Sequence, residues 1–369
     1  MKITGLSTTL LDIPLKRPHK MSFTRLEVVN YVLVRLLTDT GIEGLGEASA
    51  LGGPTWSGES AESIQATVER YLKPVLLGQE ATTVERLLRL MGTAVQDNLF
   101  AKAAVEMALL DAVGKFHGLP VYQLLGGLYR ESVPLSWSLA SGDIDEELDE
   151  AREMMSRGIG IFKLKVAALP PERDVERVLR IREALGPGVS LRIDANQGWD
   201  RSTAIRAIGR MAEAGLDFAE QPVPRWDMAG MSAIAGAVSV PLMADEGLCT
   251  PQDALALIRA EAAGVFGLKV TKMGGLLASK RVSHLAEAAG IPCYAGCMIE
   301  TSLGTAAYLH LACSAPQVTL GCELFGPLLI NGDIATQPAR YQGGHVLAPE
   351  GPGLGVELDE GLVREFARK

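Results

Sequence analysis

The chain has 369 residues, 47% of them hydrophobic and 21% charged, with a formal net charge of −9. The acidic balance argues against nucleic acid or an anionic membrane as the main partner, and no run of ~18 apolar residues speaks for a membrane protein. The length exceeds the ~250 residues of a barrel and leaves room for a second, smaller domain.

A first unit is expected over residues 1–127. Its opening stretch, 1–15, sets Thr4, Ser7, Thr8, Thr9 and Asp12 among apolar residues, which breaks up any signal-peptide core and reads as a strand of the mature protein. Residues 3–15, 29–38 and 42–48, with Asp39-Thr40-Gly41 as a turn, predict a three-stranded antiparallel meander. Apolar residues at three- and four-residue spacing predict helices over 59–76, 83–91 and 100–117, the last stopped by Gly118-Leu119-Pro120. This is an α+β capping domain. Its loops 16–24 and 50–59 mix Gly or Pro with His19, Phe23 or Trp56. They read either as ordinary surface turns or as loops that close over a neighbouring site and choose the substrate.

From 128 to 325 the pattern alternates. Strands are predicted at 133–140, 161–166, 189–196, 217–222, 241–246, 265–272, 292–298 and 319–325, with amphipathic helices between them. Asp200 is a helix N-cap, and Thr250-Pro251 starts another helix with proline in its first turn. Eight strands in βα series predict an α/β fold, a closed barrel, with an open doubly wound sheet as the alternative. The tail, 326–369, is rich in glycine and proline, ends in a short helix from Glu360, and is expected to return to the cap. The five cysteines (Cys249, Cys293, Cys297, Cys313, Cys322) form no Cys-x-x-Cys pair and read as small buried hydrophobes in a reducing cytoplasm. A zinc site on Cys293 and Cys297 has no histidine beside it to complete it.

The charged residues within these strands carry the chemistry. Lys165, Asp194, Glu220, Asp245 and Lys269 follow one another at steps of 29, 26, 25 and 24 residues, about one strand and one crossover helix each. In a parallel barrel the C-terminal strand ends converge on one mouth, so the charges face one small volume. Alternation turns Lys163 and Lys165 inward while Phe162, Leu164 and Val166 meet the helices. The same phase puts Lys269 and Glu323 inside and leaves Lys272 beyond the inner face. Two neighbouring lysines repel each other, which predicts a lowered pKa for at least one and suits a general base. Asp194, Glu220 and Asp245 form an all-carboxylate set suited to Mg²⁺ or Mn²⁺, with Glu246 as a rival to Asp245. A cation there would stabilise a carboxylate whose α-carbon loses a proton, with Lys165 and Lys269 serving the two faces of that carbon.

Lys163-Leu164-Lys165, Asp194-Ala195-Asn196, Glu220-Gln221-Pro222, Ala244-Asp245-Glu246 and the stretch from Lys269 to Gly275 together resemble the enolase superfamily, in its muconate lactonizing enzyme subgroup. Arg17-Pro18-His19-Lys20, Ala140-Ser141-Gly142-Asp143 and Glu323-Leu324-Phe325-Gly326 extend the resemblance over nearly the whole length. It implies a (β/α)₇β TIM-like barrel under an α+β cap, a divalent metal on Asp194, Glu220 and Asp245, and closure of cis,cis-muconate to muconolactone. Carried over, Lys165 is the proton donor and base, Lys163 its electrostatic partner, Lys269 the lysine on the opposite face, and Glu323 a polar group at the eighth strand. His19, Trp56, Asn196, Met298 and Glu300 are the expected substrate-binding residues, the substrate is a small carboxylate, and the family's proteins are usually homo-oligomers.

The chain departs from the subgroup's cycloisomerases at Gly198, at Gly247 and along Pro54-Thr55-Trp56-Ser57-Gly58. The stretch 296–301 is also similar to relatives that epimerise dipeptides or racemise N-acylated amino acids. An epimerase using Lys165 and Lys269 is therefore the alternative, although His19, Lys20 and Arg25 in the first cap loop suit a dicarboxylate at least as well.

Overall fold

The computed structural model describes residues 1–20 and 24–369. Strands β1 (Ile3–Lys20), β2 (Arg25–Thr38) and β3 (Glu43–Ser49) form the antiparallel meander in the order β1-β2-β3. Pairing resumes after a register shift between Pro14 and His19, so that His19 faces Leu26 across the ladder. The first cap loop is thus mostly the far end of a long hairpin; Phe23, singled out above, lies outside the described residues.

The helix Leu99–His117 lies on this sheet and is buried nearly all round, with alanine at 101, 103, 104, 108 and 112. Alanine favours the helix and leaves no side chain to hold the backbones apart. Glycine completes the contact from the other side. A Cβ on Gly46 would stand 1.9 Å from the Ala104 carbonyl oxygen, and one on Gly44 2.0 Å from that of Ala108.

The barrel strands are β5 (Ser136–Leu139), β6 (Ile161–Lys165), β7 (Ser190–Asp194), β8 (Leu216–Glu220), β9 (Leu242–Ala244), β10 (Val265–Leu268), β11 (Cys293–Ala295) and β12 (Val318–Cys322), preceded by β4 (Ser132–Pro134). They are parallel neighbours in chain order from β5 to β12. A parallel bridge between Leu135 and Cys322 joins the first turn of the sheet to the last, so the sheet is a near-closed TIM-like barrel and not an open one. At its lower end Arg192 lies 4.8 Å from the ring centroids of both Phe218 and Tyr294, among buried Met243 and Val265. That packing fills the barrel below the charged residues.

The tail takes a longer route than expected. From the cap, where Ile330 bridges Leu15 and the Asn331 N–H donates to the Pro14 carbonyl at 2.7 Å, it runs to strands β13 (Tyr341–Gln342) and β14 (His345–Leu347), which extend β4 into a small antiparallel sheet at the N-terminal end of the barrel. The chain then returns to the cap, where Ala367 bridges Leu11 and Arg368 holds Asp12 at 2.7 Å. Among the described residues no helix is long and apolar enough to cross a membrane, and all five cysteines are free thiols.

The close approach at Gly46 is testable. Gly46→Ala should cost about 1–3 kcal/mol of unfolding free energy by forcing helix and sheet apart, read from the denaturant midpoint. An unchanged midpoint would mean that the contact is not tight.

Candidate active site

Ladder register brings the charges together. Lys165 lies beside Asp194 in the β6–β7 pairing, and Asp194 beside Glu220 in the β7–β8 pairing. Asp245, Lys269 and Glu323 each follow directly on the last residue of β9, β10 and β12. The carboxylates, Lys163 and Lys269 are buried, while the Lys165 side chain keeps 13% exposure.

Each ammonium closes on carboxylate. Lys163 donates to Glu220 and, at 2.6 Å, to Glu323, with Asp194 at 3.5 Å. Lys165 donates to Asp194 at 2.5 Å and to the Asn196 side-chain oxygen at 3.1 Å. Lys269 donates to Asp245 at 2.6 Å, and its Nζ stands 4.7 Å over the Trp56 ring.

Lys272 belongs to this cluster, contrary to the phase argument. It is buried and donates to both the side chain and the carbonyl of Asp245, at 2.6 Å each. β10 ends at Leu268, so the residues after it form a turn in which strand alternation no longer applies. Gln221 was also not foreseen. Its side-chain oxygen accepts from the N–H groups of Asp245 and Gly247, both at 3.1 Å, and fixes the turn that carries Asp245.

Of the two lysines one pleat apart, Lys163 shows no drop in pKa, and across the site Lys269 shows none either. Burial disfavours their charge, yet Glu220 and Glu323 around Lys163, and Asp245 beside Lys269, outweigh it and hold both above the ordinary lysine range. Contact with carboxylate at hydrogen-bond distance beats repulsion between ammoniums one pleat apart. Burial together with the nearby Asp194 and Asp245 charges drives Glu220 well up, while Lys165 and Lys163 hold Asp194 below its usual value against burial.

A small cavity over the cluster is walled by barrel and cap together, including Lys165, Lys269, Asn196, His19, Trp56 and Phe325. Met298 and Glu300 do not line it; Cys297 and Ile299 do. Met298 is fully buried, and Glu300 turns back to accept the Met298 N–H at 2.7 Å. Arg25 is exposed and pairs with Glu27, while Arg17 is bound to Glu150 on a barrel helix. Of the groups expected in the first loop, His19 is brought to the cavity. Burial and the neighbouring Lys165 charge push it down to about 3, so its ring is neutral.

A near-closed parallel barrel with lysines and carboxylates interleaved at its strand ends, under an α+β cap, defines a class. The family described as "Mandelate racemase / muconate lactonizing enzyme, N-terminal domain" matches residues 5–126, and "Enolase C-terminal domain-like" matches residues 146–362. The chain belongs to the enolase superfamily, in its mandelate racemase/muconate lactonizing enzyme subfamily. It is 43% identical to muconate cycloisomerase 1 of Rhodococcus opacus over 369 residues, 100% of this chain and 99% of that one. It is 42% identical to a chloromuconate cycloisomerase of Cupriavidus pinatubonensis, over 97% of each chain. The structure of muconate lactonizing enzyme from Pseudomonas fluorescens complexed with muconolactone superposes with a TM-score of 0.98 at 41% identity, covering 100% of this chain and 99% of that one.

Membership of this family implies a divalent metal cofactor. Among the described residues no three His, Cys, Asp or Glu side chains are arranged to hold an ion as they stand, and lysine ammoniums donate to oxygens of Asp194, Glu220 and Asp245. The donor chemistry nonetheless fits. All three are buried hard oxygen donors, they raise one another's cost of ionisation, and Glu220 Oε1 is buried without a hydrogen-bond partner.

The neutral state of His19 has a direct readout. Its ring resonance, assigned by comparison with His19→Gln, should show no titration midpoint between about pH 5 and 8. A midpoint near that of a free imidazole would mean that the ring is open to water.

Proposed function

We propose that the protein is a metal-dependent cycloisomerase that interconverts cis,cis-muconate, or a substituted muconate, with the corresponding muconolactone. The observation that carries this reading is Lys165 and Lys269 lining one cavity from strands four places apart in an eight-stranded barrel, hence from opposite walls, in a chain similar over its full length to muconate and chloromuconate cycloisomerases.

In the lactonizing direction an oxygen of one substrate carboxylate adds to a carbon of the diene. The new C–O bond forms as a C=C π bond breaks, and the electron pair moves to the carbon next to the other carboxylate. Lys165 delivers the proton to that carbon from Nζ, and recovers one from solvent, to which its side chain stays partly open. Asp194 and Asn196 aim its ammonium. Lys163 and Lys269 are held cationic by their carboxylate partners and act as fixed positive charge around the developing anion. A divalent cation, Mg²⁺ or Mn²⁺, held by Asp194, Glu220 and Asp245 would supply further positive charge against the second carboxylate as it takes up the electron pair.

Trp56, Leu51, Ile299 and Phe325 give the cavity an apolar wall for the substrate's carbon chain, with neutral His19 beside it as a hydrogen-bonding group. The five free thiols suit a reducing cytoplasm.

Two measurements test the reading. The Mn²⁺-loaded protein should bleach the ultraviolet absorbance of cis,cis-muconate, since ring closure destroys the conjugated diene; a stable spectrum with muconate and chloromuconates alike would shift the reading to proton exchange on an amino-acid derivative. Lys165→Ala should lower turnover by ~10²–10⁴-fold while Mn²⁺ still binds, and full activity would remove Lys165 from the proton transfer.

A further inference from the structure

Behind Lys165 lies a buried ion triad that the chemistry above does not use. Arg177, on the helix Pro171–Leu185, is 3% exposed, and its two acidic neighbours, Glu147 and Asp174, are fully buried. Its guanidinium lies 3.5 Å from Glu147 and 3.4 Å from Asp174. Such a triad is a poor source of stability. Burying three charged groups costs more than their attraction regularly returns, and burial is the leading influence on both carboxyls, pushing their pKa values up.

What the triad holds is the backbone around Lys165. The ladder between β5 and β6 stops at the Leu139–Leu164 pair, and the next carbonyl, that of Lys165, accepts from Arg177 Nη2. One residue on, the Val166 N–H donates to the Asp194 carbonyl at 2.9 Å. The Ala167 N–H then donates to Asp174 at 2.8 Å, and Ala167 is in the left-handed region at φ +68°. A non-glycine residue there is strained, and the bond to Asp174 holds it in place. Glu147 takes the Gly142 N–H at 2.9 Å and so ties in the loop after β5.

We infer that Arg177 is a positioning residue: with Asp174 and Glu147 it fixes the end of β6, and through it the direction in which Lys165 projects into the cavity. The inference rests on the proton-transfer role proposed for Lys165. Lys163, on the same strand, is clamped by Glu220 and Glu323. Lys165 has a contact to Asp194 and one to Asn196 from a partly open side chain, so its aim depends on the backbone that carries it.

The test compares wild type, Arg177→Lys and Arg177→Met, each loaded with Mn²⁺. Because a misplacement of about 1 Å can cost ~10²-fold, Arg177→Met should lower kcat for muconate by that order with KM changed less than about threefold. Mn²⁺ affinity should be retained, and Arg177→Lys should recover part of kcat. A folded Arg177→Met with wild-type kcat overturns the inference, as does parallel loss of kcat, KM and Mn²⁺ affinity. If Arg177→Met does not fold, Asp174→Asn takes its place under the same criteria. If wild type leaves muconate intact, the muconate reading fails by itself, and a crystal structure of the variant decides the positioning role. Lys165 Nζ displaced from Asp194 and Asn196 supports the inference, and an unmoved Nζ ends it.

Discussion

Everything at the barrel mouth depends on one electrostatic constraint, the mutual neutralisation of lysines and carboxylates that none could satisfy alone. Lys163, Lys165, Lys269 and Lys272 face Asp194, Glu220, Asp245, Glu246 and Glu323 in a volume largely closed to water. An isolated charge there would give up its proton or take one. Interleaving them at the ends of six strands sets positive against negative charge throughout the cluster, and the barrel is what makes the interleaving possible, since parallel strands deliver their ends to the same level. Counted formally, the four lysines and five acids leave one negative charge. A divalent cation reverses that sign and makes the cluster a host for a dianion, so the composition of the site and the charge of a dicarboxylate substrate are complementary.

The cap is bound to this barrel as a body, not hung above it. Glu106, from the middle of the helix Leu99–His117, accepts the N–H of Leu277 at 3.1 Å and that of Leu276, satisfying the start of the barrel helix Leu276–Ala288. Glu47 from β3 accepts from the Thr301 N–H at 3.1 Å, and the Tyr31 hydroxyl donates to the Ile299 carbonyl at 2.7 Å. Burial pushes both Glu47 and Glu106 up to about 8, despite those hydrogen bonds. Cap and barrel therefore cannot part without exposing unsatisfied helix ends, which confines variation over the cavity to the two loops that bring His19, Leu51 and Trp56.

Much of this was legible in the sequence because strand phase is a binary choice. Phe162, Leu164 and Val166 had to meet helices, so Lys163 and Lys165 had to point inward, and constant βα spacing put Asp194, Glu220 and Asp245 at the same end. The misreadings fall where that periodicity ends. Lys272 sits in a turn past β10, and Met298 and Glu300 sit in the irregular segment after β11, where Cys297 and Ile299 face the cavity instead. The rise at Lys163 was not legible for a related reason: sequence shows that two lysines are one pleat apart, but not that Lys163 has carboxylate oxygens from two other strands within hydrogen-bond reach. The tail's detour through β13 and β14 to β4 carries no periodic signal in segments of two and three residues.

The same reasoning explains why Arg177 escaped notice. In the sequence it is one basic residue among Arg173, Arg180 and Arg182 on an amphipathic helix, and such residues are ordinarily solvated. Its partners lie on two different helices, and the group it serves is a main-chain carbonyl, which has no signature in sequence at all. First-contact chemistry is legible because it needs particular residue types at fixed places on strands. The layer behind it needs only that some group reach a given backbone atom, and many sequences can supply one. In this barrel the directions of the reacting groups are therefore set by contacts that only the folded structure reveals.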